Sequence, residues 1–216
     1  MALSDTQLTF LGITEYRGNG KYIFKDNVLR DFFRLKADII YKNMQQICMF
    51  FREKKYGIGF DVFAPFLSPF VGQDLARLSC LCDFIKPMMY RVTNAPAGLP
   101  YETESFFQQT GCEGLAEKLK FYRLLGIKDD FDENPFDLEF AAKELENMTK
   151  VSACHVYAGV EINRVEEIAE TDTDYIEETL RAYAKTGIGG FALSWNLLDM
   201  PQENIKKAAE IIKLIC

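Results

Sequence analysis

Apolar residues follow two patterns that alternate along the chain. In one pattern they recur at helical spacing, which predicts helices over Asn27–Lys55, Gly72–Cys82, Glu104–Leu125, Asp174–Lys185 and Pro201–Ile215. In the other they form short runs, which predict strands at Leu8–Tyr16, Tyr56–Ala64, Asp83–Arg91, Val156–Asn163 and Gly189–Trp195. The passage Lys128–Lys150 is less regular, and its acidic part, Lys128–Glu146, predicts a solvated insertion.

This alternation predicts an α/β fold with parallel strands, because strands joined through helices form βαβ units. The predicted strands are nearly continuous in apolar character, as is typical of parallel strands covered on both faces. A complete (β/α) TIM-type barrel has eight such strands in about 250 residues. This chain offers five strands at most in 216 residues. We therefore expect one barrel-type domain over residues 1–216, either a complete barrel or only the C-terminal half of one.

Polar residues end each of the last four predicted strands. They are Asp61, Tyr90 with Arg91, Glu161 with Asn163, and Ser194 with Trp195. The carboxyl ends of parallel strands meet at one edge, and the active sites of barrels and open α/β sheets form there. We expect the functional site at this edge, bordered by the turn-rich loop Asn94–Tyr101.

Charge and composition exclude several classes of function. A net charge of −7 and an isoelectric point near 4.9 argue against a nucleic-acid surface, which needs a basic face. The first residues, MALSDTQLTF, lack the basic and apolar regions of a secretory signal. No apolar stretch is close to the roughly 18 residues that a membrane span needs. The six cysteines are scattered in apolar surroundings, as free thiols are in a reducing compartment. We expect a cytoplasmic protein with no nucleic-acid or membrane partner.

Motifs for metals and cofactors are missing from the sequence. One residue separates Cys80 from Cys82, whereas zinc knuckles place about two to four residues between their cysteines. The only histidine, His155, adjoins Cys154, so a Ser–His or Cys–His triad is not expected. No Gly-rich phosphate loop, GxGxxG or GxSxG motif occurs. The sequence predicts no metal site and no cofactor.

Three stretches carry a resemblance to known barrels. The run GIGFDVFAPFLSPFVGQDLARLSCLCDFIKPMMYRVTNAPAGLPYE, beginning at Gly57, resembles bacterial TIM-barrel proteins of the glycoside-hydrolase-like kind. GVEINRVE and GGFALSWNLLD are similar to the seventh and eighth strands of the same barrels. The resemblance extends from about Tyr56 to the C-terminus and implies a glycosidase-like barrel.

Two shorter echoes point to particular groups of these barrels. PMMY, ending at Tyr90, is similar to the Met-x-Tyr of the sixth strand in family 18 chitinase-like barrels. GITEYRG is similar to their fourth-strand motif, although Leu11, Ile13 and Thr14 stand where that family has aspartates. Clan-A glycosidases place an acid/base Glu after strand four, a nucleophilic Glu after strand seven and often a Trp after strand eight. Numbering the predicted strands four to eight assigns these roles to Glu15, Glu161 and Trp195.

Each candidate residue also has an ordinary structural interpretation. Glu161 lies in an apolar strand, so it either emerges at the mouth as the charged catalytic group or pairs with a cation such as Arg91. Asp61 either orients substrate hydroxyls or accepts a hydrogen bond from Lys86 or Tyr90, or it forms only a salt bridge at the rim. Glu15 is either the partner carboxylate or a loop acid.

The predicted substrate-binding residues are aromatic, cationic or amide side chains at the same edge. They are Tyr90, Arg91, Asn163, Trp195 and Lys86. Aromatic faces stack on sugar rings, so Trp195 either binds a sugar or caps the core. The phenol of Tyr90 and the cation of Arg91 either contact substrate or belong to a structural polar network.

The expected function is a glycosidase-like hydrolase that hydrolyses or binds a carbohydrate or sugar conjugate. Glu161, Glu15 and Asp61 are the catalytic candidates, and two carboxyl groups about 5–9 Å apart in one pocket would favour this function. The alternative is a non-catalytic partial barrel that acts as a binding or assembly subunit. Fewer than eight strands leave two open sheet edges, so we expect a homodimer or a partner chain that covers them.

Overall fold

The computed structural model describes residues 12–128 and 134–215. The strands in this part of the chain are β1 Ile13–Tyr16, β2 Tyr22–Phe24, β3 Gly59–Val62, β4 Phe84–Pro87, β5 His155–Glu161, β6 Arg164–Val165, β7 Ala169–Glu170 and β8 Gly190–Ser194. The α-helices are α1 Asn27–Glu53, α2 Leu75–Leu78, α3 Leu99–Thr110, α4 Leu115–Leu124, α5 Leu138–Thr149, α6 Thr173–Ala184 and α7 Gln202–Ile215. Short 3₁₀ helices cover Ser68–Val71 and Leu197–Asp199.

Four parallel strands in chain order, β3-β4-β5-β8, form the central sheet. Gly59 lies opposite Phe84, Phe84 opposite His155, and Tyr157 opposite Gly190, so the strands share one register. The predicted α/β fold with parallel strands is confirmed. Over the described residues the sheet does not close into a barrel, and β3 and β8 are its two edges.

Helices pack against one face of this sheet. Alternate strand residues on that face are buried together with helix side chains in one apolar core, as Val62, Ile85, Val156 and Val160 are. Helix α7 packs on α6, and α6 packs beside α5. At the other end of the layer, α1 packs against the crossover segment Ser68–Leu78 that follows β3. The helical layer therefore begins with α1 and ends with α7.

Aromatic rings lie across glycines on the opposite face of the sheet. The ring of Phe84 fills the position where a Cβ on Gly59 would be, 2.0 Å from Phe84 Cζ. The ring of Tyr90 similarly covers Gly159, where a Cβ would lie 2.8 Å from Cε1. Tyr157 stacks on Phe84 with ring centroids 5.0 Å apart. Helices α1 to α7 pack elsewhere, so these rings partly cover a face that the described residues otherwise leave open.

The predicted first strand is wrong as a member of the parallel sheet. Residues 8–11 of it lie outside the described part of the chain, and Ile13–Tyr16 pairs antiparallel with Tyr22–Phe24 in a separate hairpin. The turn between them contains Gly18, Asn19 and Gly20, all with positive φ. The sequence Asn-Gly between two short apolar runs favours such a hairpin. Glu15 is consequently not at the end of a sheet strand.

The helical predictions are correct in three places and wrong in three. Helices α1, α6 and α7 match within two residues, and Asp172 caps α6 by accepting a hydrogen bond from Tyr175 N. The predicted helix Glu104–Leu125 is two helices, because Gly111 ends α3 in a left-handed conformation. The predicted helix Gly72–Cys82 shrinks to α2.

The third error is α5, which lies inside the passage predicted to be a solvated insertion. Asp137 caps it by accepting a hydrogen bond from Phe140 N at 2.7 Å. Ala141, Leu145 and Met148 bury its inner face. This helical spacing is visible in the sequence, but the acidic surroundings obscure it.

Five of the six cysteines lie in the described residues and are free thiols, as predicted.

No helix in the described ranges is long and apolar enough to cross a membrane.

Glu144 on α5 is a buried carboxyl whose ionisation should lower stability. Burial raises its pKa to about 7, although the hydroxyl of Tyr16 donates a hydrogen bond to it at 2.5 Å. Between the unfolded value near 4.5 and about 7, the folded state holds a proton that the unfolded state has lost. The free energy of unfolding should therefore fall by about 3 kcal/mol as the pH rises through this window.

Urea unfolding of the wild type and of Glu144→Gln between pH 5 and pH 8 measures this dependence. The neutral amide cannot ionise, so the variant should show a flatter profile. A wild-type profile that rises over the same window, or one that Glu144→Gln leaves unchanged, would contradict the prediction.

Candidate functional site

A chain of polar side chains crosses the carboxyl end of the sheet. The hydroxyl of Tyr90 accepts hydrogen bonds from Ser194 Oγ at 2.5 Å and from Lys86 Nζ at 3.1 Å. Lys86 Nζ also pairs with Asp61 Oδ2 at 3.0 Å. Tyr90 is only 4% exposed because its ring lies over Gly159. These hydrogen-bonded side chains connect β3, β4 and β8, so they stabilise the edge of the sheet where the site was predicted.

Lys86 stays charged in this arrangement. Burial acts to lower its pKa, but the interactions with Tyr90 and Asp61 outweigh burial and hold the pKa above its usual value. The Asp61 carboxylate is 62% exposed, so its pairing with Lys86 is a rim contact of the kind that sequence analysis gave as one alternative. The ammonium of Lys86 is therefore held at the mouth by its ion pair with Asp61.

Glu161, at the end of β5, is 1% exposed and fully engaged. Its Oε1 accepts hydrogen bonds from Val92 N at 2.9 Å, and from Thr93 N and Thr93 Oγ1 at 3.1 Å each. Its Oε2 accepts a hydrogen bond from the hydroxyl of Tyr175 on α6. The carboxylate thus ties the loop after β4 to β5 and α6. Burial, together with the neighbouring negative charge of Glu161, raises the pKa of Tyr175 well above its usual value, so Tyr175 remains a donor.

Arg91 forms no ion pair with Glu161, so the alternative in which these two residues pair is wrong. Its guanidinium lies over the ring of Tyr175, with 4.7 Å between the guanidinium carbon and the ring centroid. It also donates a hydrogen bond to Thr179 Oγ1 at 3.1 Å. Arg91 is buried between the loop and α6 and is directed away from the mouth.

A cavity of about 220 Å³ opens beside this network. It is lined by Tyr90, Thr93, Ala95, Pro96, Ala97 and Trp195. Trp195, the only tryptophan, is 44% exposed, so an apolar ring surface is available at the entrance. The predicted loop Asn94–Tyr101 does border the site, since it supplies the opposite wall.

Hydrogen bonds hold both walls of the cavity. On the loop side, Ala97 N donates to Glu102 Oε1 at 2.8 Å, and Leu99 N donates to Tyr90 O at 2.8 Å. On the other side, the side-chain oxygen of Asn163 accepts from Trp195 N, and its amide nitrogen donates to Asn196 O at 2.9 Å. Asn163 is fully buried, so it positions Trp195 and does not itself line the cavity.

The predicted residues therefore separate into three groups. Lys86, Tyr90 and Asp61 share one network, and Trp195 joins Tyr90 at the cavity. Glu161, Arg91 and Asn163 lie behind the cavity walls. Glu15 lies on the β1–β2 hairpin and pairs with Arg17 at 2.9 Å, which lowers the pKa of the Glu15 carboxyl.

Two contributors were not among the predicted site residues. Thr93 lines the cavity and also donates to Glu161, and Tyr175 supplies the fourth donor to that carboxylate. Thr93 follows the predicted strand Asp83–Arg91 by two residues, so its position was a usable signal. Tyr175 lies on a helix, and nothing in its local sequence indicates the contact. In the described ranges, no three His, Cys, Asp or Glu side chains cluster in a way that could hold a metal ion.

No protein-family model, no curated protein and no solved structure matches this chain. What distinguishes this chain is the geometry of the site itself. That geometry consists of a small cavity, an exposed indole, a buried phenol and carboxylates that are already paired.

Proposed function

We propose that this chain binds a carbohydrate or sugar conjugate at the carboxyl ends of its strands, in the mouth of a (β/α) barrel. The exposed indole of Trp195 at the cavity entrance carries the proposal, because aromatic faces suit the apolar faces of sugar rings. Tyr90 and Thr93 add polar side chains to the lining, and a few polar groups in an apolar cavity are typical of small-molecule sites.

The size of the cavity favours a ligand of one ring. Pockets that enclose drug-sized ligands span about 300–1,000 Å³, whereas this cavity measures about 220 Å³. A larger sugar conjugate would place one ring between Trp195 and the loop Ala95–Ala97 and extend into solvent. This matches an open mouth better than an enclosed catalytic chamber.

Binding is favoured over hydrolysis because the candidate carboxylates are engaged elsewhere. Glycosidases need two carboxyl groups beside the scissile bond, one of which acts as a proton donor. Here Glu161 is buried with both oxygens hydrogen-bonded, and Asp61 pairs with Lys86. Glu15 lies on a separate hairpin. The non-catalytic alternative, a binding subunit built on a partial barrel, is therefore our first proposal for the chain by itself.

The barrel part of the proposal is supported by the two faces of the sheet. In a closed barrel, helices cover the outer face and the inner face lines the lumen. In residues 12–128 and 134–215 the helices pack on one face, and the opposite face carries Asp61, Lys86 and Tyr157. A polar and aromatic inner surface that leads to a cavity at the strand ends fits the upper lumen of such a barrel.

Trp195 reports directly on the proposed binding, because its fluorescence is that of the only tryptophan. Titration with N-acetylglucosamine and with methyl β-glucopyranoside should change the emission in a saturable manner. By calorimetry, Trp195→Ala should weaken the affinity for the binding sugar at least about tenfold, a loss of about 1.4 kcal/mol.

Leu198→Ala is the matched control, because Leu198 is exposed three residues further on and does not line the cavity. It should leave the affinity unchanged. No saturable response to either sugar in the wild type, or equal affinities of wild type and Trp195→Ala, would refute the proposed function.

A further inference from the structure

We propose that two copies of this chain close one eight-stranded parallel barrel, with β3 of each copy paired to β8 of the other. This inference rests on the barrel part of the proposed function. The edges at β3 and β8, which the described residues leave unpaired, would each be covered by a second copy of the chain.

Exposed apolar side chains are concentrated at the two ends of the sheet. The described part of the chain has 17 large apolar residues that are exposed, and 13 of these belong to two segments. One segment runs from Val28 on α1 to Tyr56 just before β3, and the other from Trp195 just after β8 to Leu214 on α7. Exposed apolar patches of this kind mark interaction surfaces. Exposed apolar surface is therefore available to a partner in both segments, which we call the two flanks of the sheet.

Four of the exposed apolar residues on α1 form a stripe along one side of the helix. Val28, Phe32, Leu35 and Ile39 follow one another at intervals of four, three and four residues, which places them on one side of the helix. Phe33 and Tyr41, on the other side, pack against the core. This 27-residue helix therefore has one apolar side that packs against the core and a second apolar side that is available to a partner.

Symmetry allows these flanks to meet without reversing a strand. A two-fold axis parallel to the strands carries β8 of one copy to the free edge of β3 in the other and keeps all strands parallel. The same rotation pairs the remaining two edges, so four strands and four strands make a closed ring. Eight is the strand number at which a parallel barrel fills its interior with side chains. Closure also removes the unpaired backbone groups of both edges.

The charge of α1 favours this arrangement over contact between two α1 helices. The segment Asn27–Lys55 holds seven basic and three acidic residues, a net charge of +4 in a chain of net charge −7. Two such helices side by side would repel each other. The segment Trp195–Ile215, in contrast, holds three basic and three acidic residues. In the closed dimer the basic helix α1 therefore contacts the segment Trp195–Ile215, whose net charge is zero.

The available area is sufficient for a stable dimer. A helix of this length is about 40 Å long and about 10 Å wide, and the two-fold axis repeats the flank contact, which gives about 800 Å² per partner. That value is close to the size of ordinary specific interfaces. Pairing of the strand edges and burial of the inner faces add to it.

Light scattering behind a sizing column, in reducing buffer, tests the assembly. The wild type should have twice the 24.8 kDa mass of one chain. Leu35→Asp should have the mass of one chain with unchanged helix content, because Leu35 is 59% exposed and its replacement does not disturb the core. Gln45→Asp is the matched control: it places the same charge on another exposed side of α1, so this variant should remain a dimer.

Hydrogen exchange separates barrel closure from a dimer held by α1 alone. In the wild type the amides of both β3 and β8 should be protected, and in Leu35→Asp those facing the open edges should exchange rapidly. A wild-type mass of one chain, a mass that grows with concentration, a Leu35→Asp dimer, or unprotected edge amides in a wild-type dimer would each overturn the inference. Sugar titration of monomeric Leu35→Asp tests the Trp195 cavity separately, so the two proposals can fail independently.

Discussion

Replacement of Glu161 by alanine should destabilise the protein more than any other single change at the mouth. The carboxylate accepts hydrogen bonds from Val92 N, from the amide and hydroxyl of Thr93, and from Tyr175. Alanine would leave these donors without an acceptor in a site that water does not reach. Each unsatisfied buried donor costs about 1–3 kcal/mol, so the free energy of unfolding should fall by about 4 kcal/mol or more.

Asp61→Ala supplies the contrast, since both acids were predicted to be catalytic. Asp61 is mostly exposed and makes one ion pair with Lys86, so its loss should cost less than about 1 kcal/mol. Urea unfolding of both variants measures the difference. If Glu161→Ala were as stable as Asp61→Ala, Glu161 would have to be solvated at the mouth, and its role as a nucleophile would regain support.

Gly98→Ala should be the second severe substitution. Gly98 caps α3 with an ordinary backbone conformation, but a Cβ there would lie 1.8 Å from the carbonyl oxygen of Thr93. Backbone cannot move aside as a flexible side chain can, so the loop that forms one wall of the cavity would have to shift. Forced overpacking costs typically about 1–3 kcal/mol and sometimes more. We expect about 3 kcal/mol here, together with weaker sugar binding.

Gly111→Ala is the control, because here the backbone conformation is unfavourable for alanine while the added methyl group has free space. Gly111 has a φ of +69°, which alanine adopts with strain, but no atom lies within 4 Å of its added Cβ. The cost should be about 1 kcal/mol, with no effect on the cavity. Thermal unfolding and calorimetric sugar titration of both variants test the pair, and equal losses of stability would disprove the steric argument at Gly98.

Local sequence patterns predicted the parallel core of the fold because each pattern acts within one element. The strands that contain Asp61, Lys86 and Ser194 lie within the predicted ranges, and the strand that contains Glu161 begins one residue before its predicted range. The first strand failed for a different reason. Ile13–Tyr16 has the apolar character of a strand, but its partner is decided by the Gly18–Gly20 turn, which returns the chain antiparallel.

The site was predictable as a place but not as a set of roles. The carboxyl ends of the strands follow from topology, and Tyr90 and Trp195 do line a cavity there. The role of Glu161 depends on donors from Val92, Thr93 and Tyr175, which reach it from separate segments of the chain. Only the packed structure brings these together, so the sequence left the catalytic and the structural interpretation equally open.

The rings that lie across glycines on the open face couple positions that are far apart in the chain. Any side chain at Gly59 would collide with Phe84, and any at Gly159 would collide with Tyr90. In an evolving lineage, neither glycine can be replaced unless its aromatic partner first becomes smaller. In homologues, a replacement of Gly59 should therefore occur together with a replacement of Phe84, and a replacement of Gly159 together with a replacement of Tyr90. Gly190 should drift freely to alanine, because the ring of Tyr157 leaves 3.5 Å for a methyl group there.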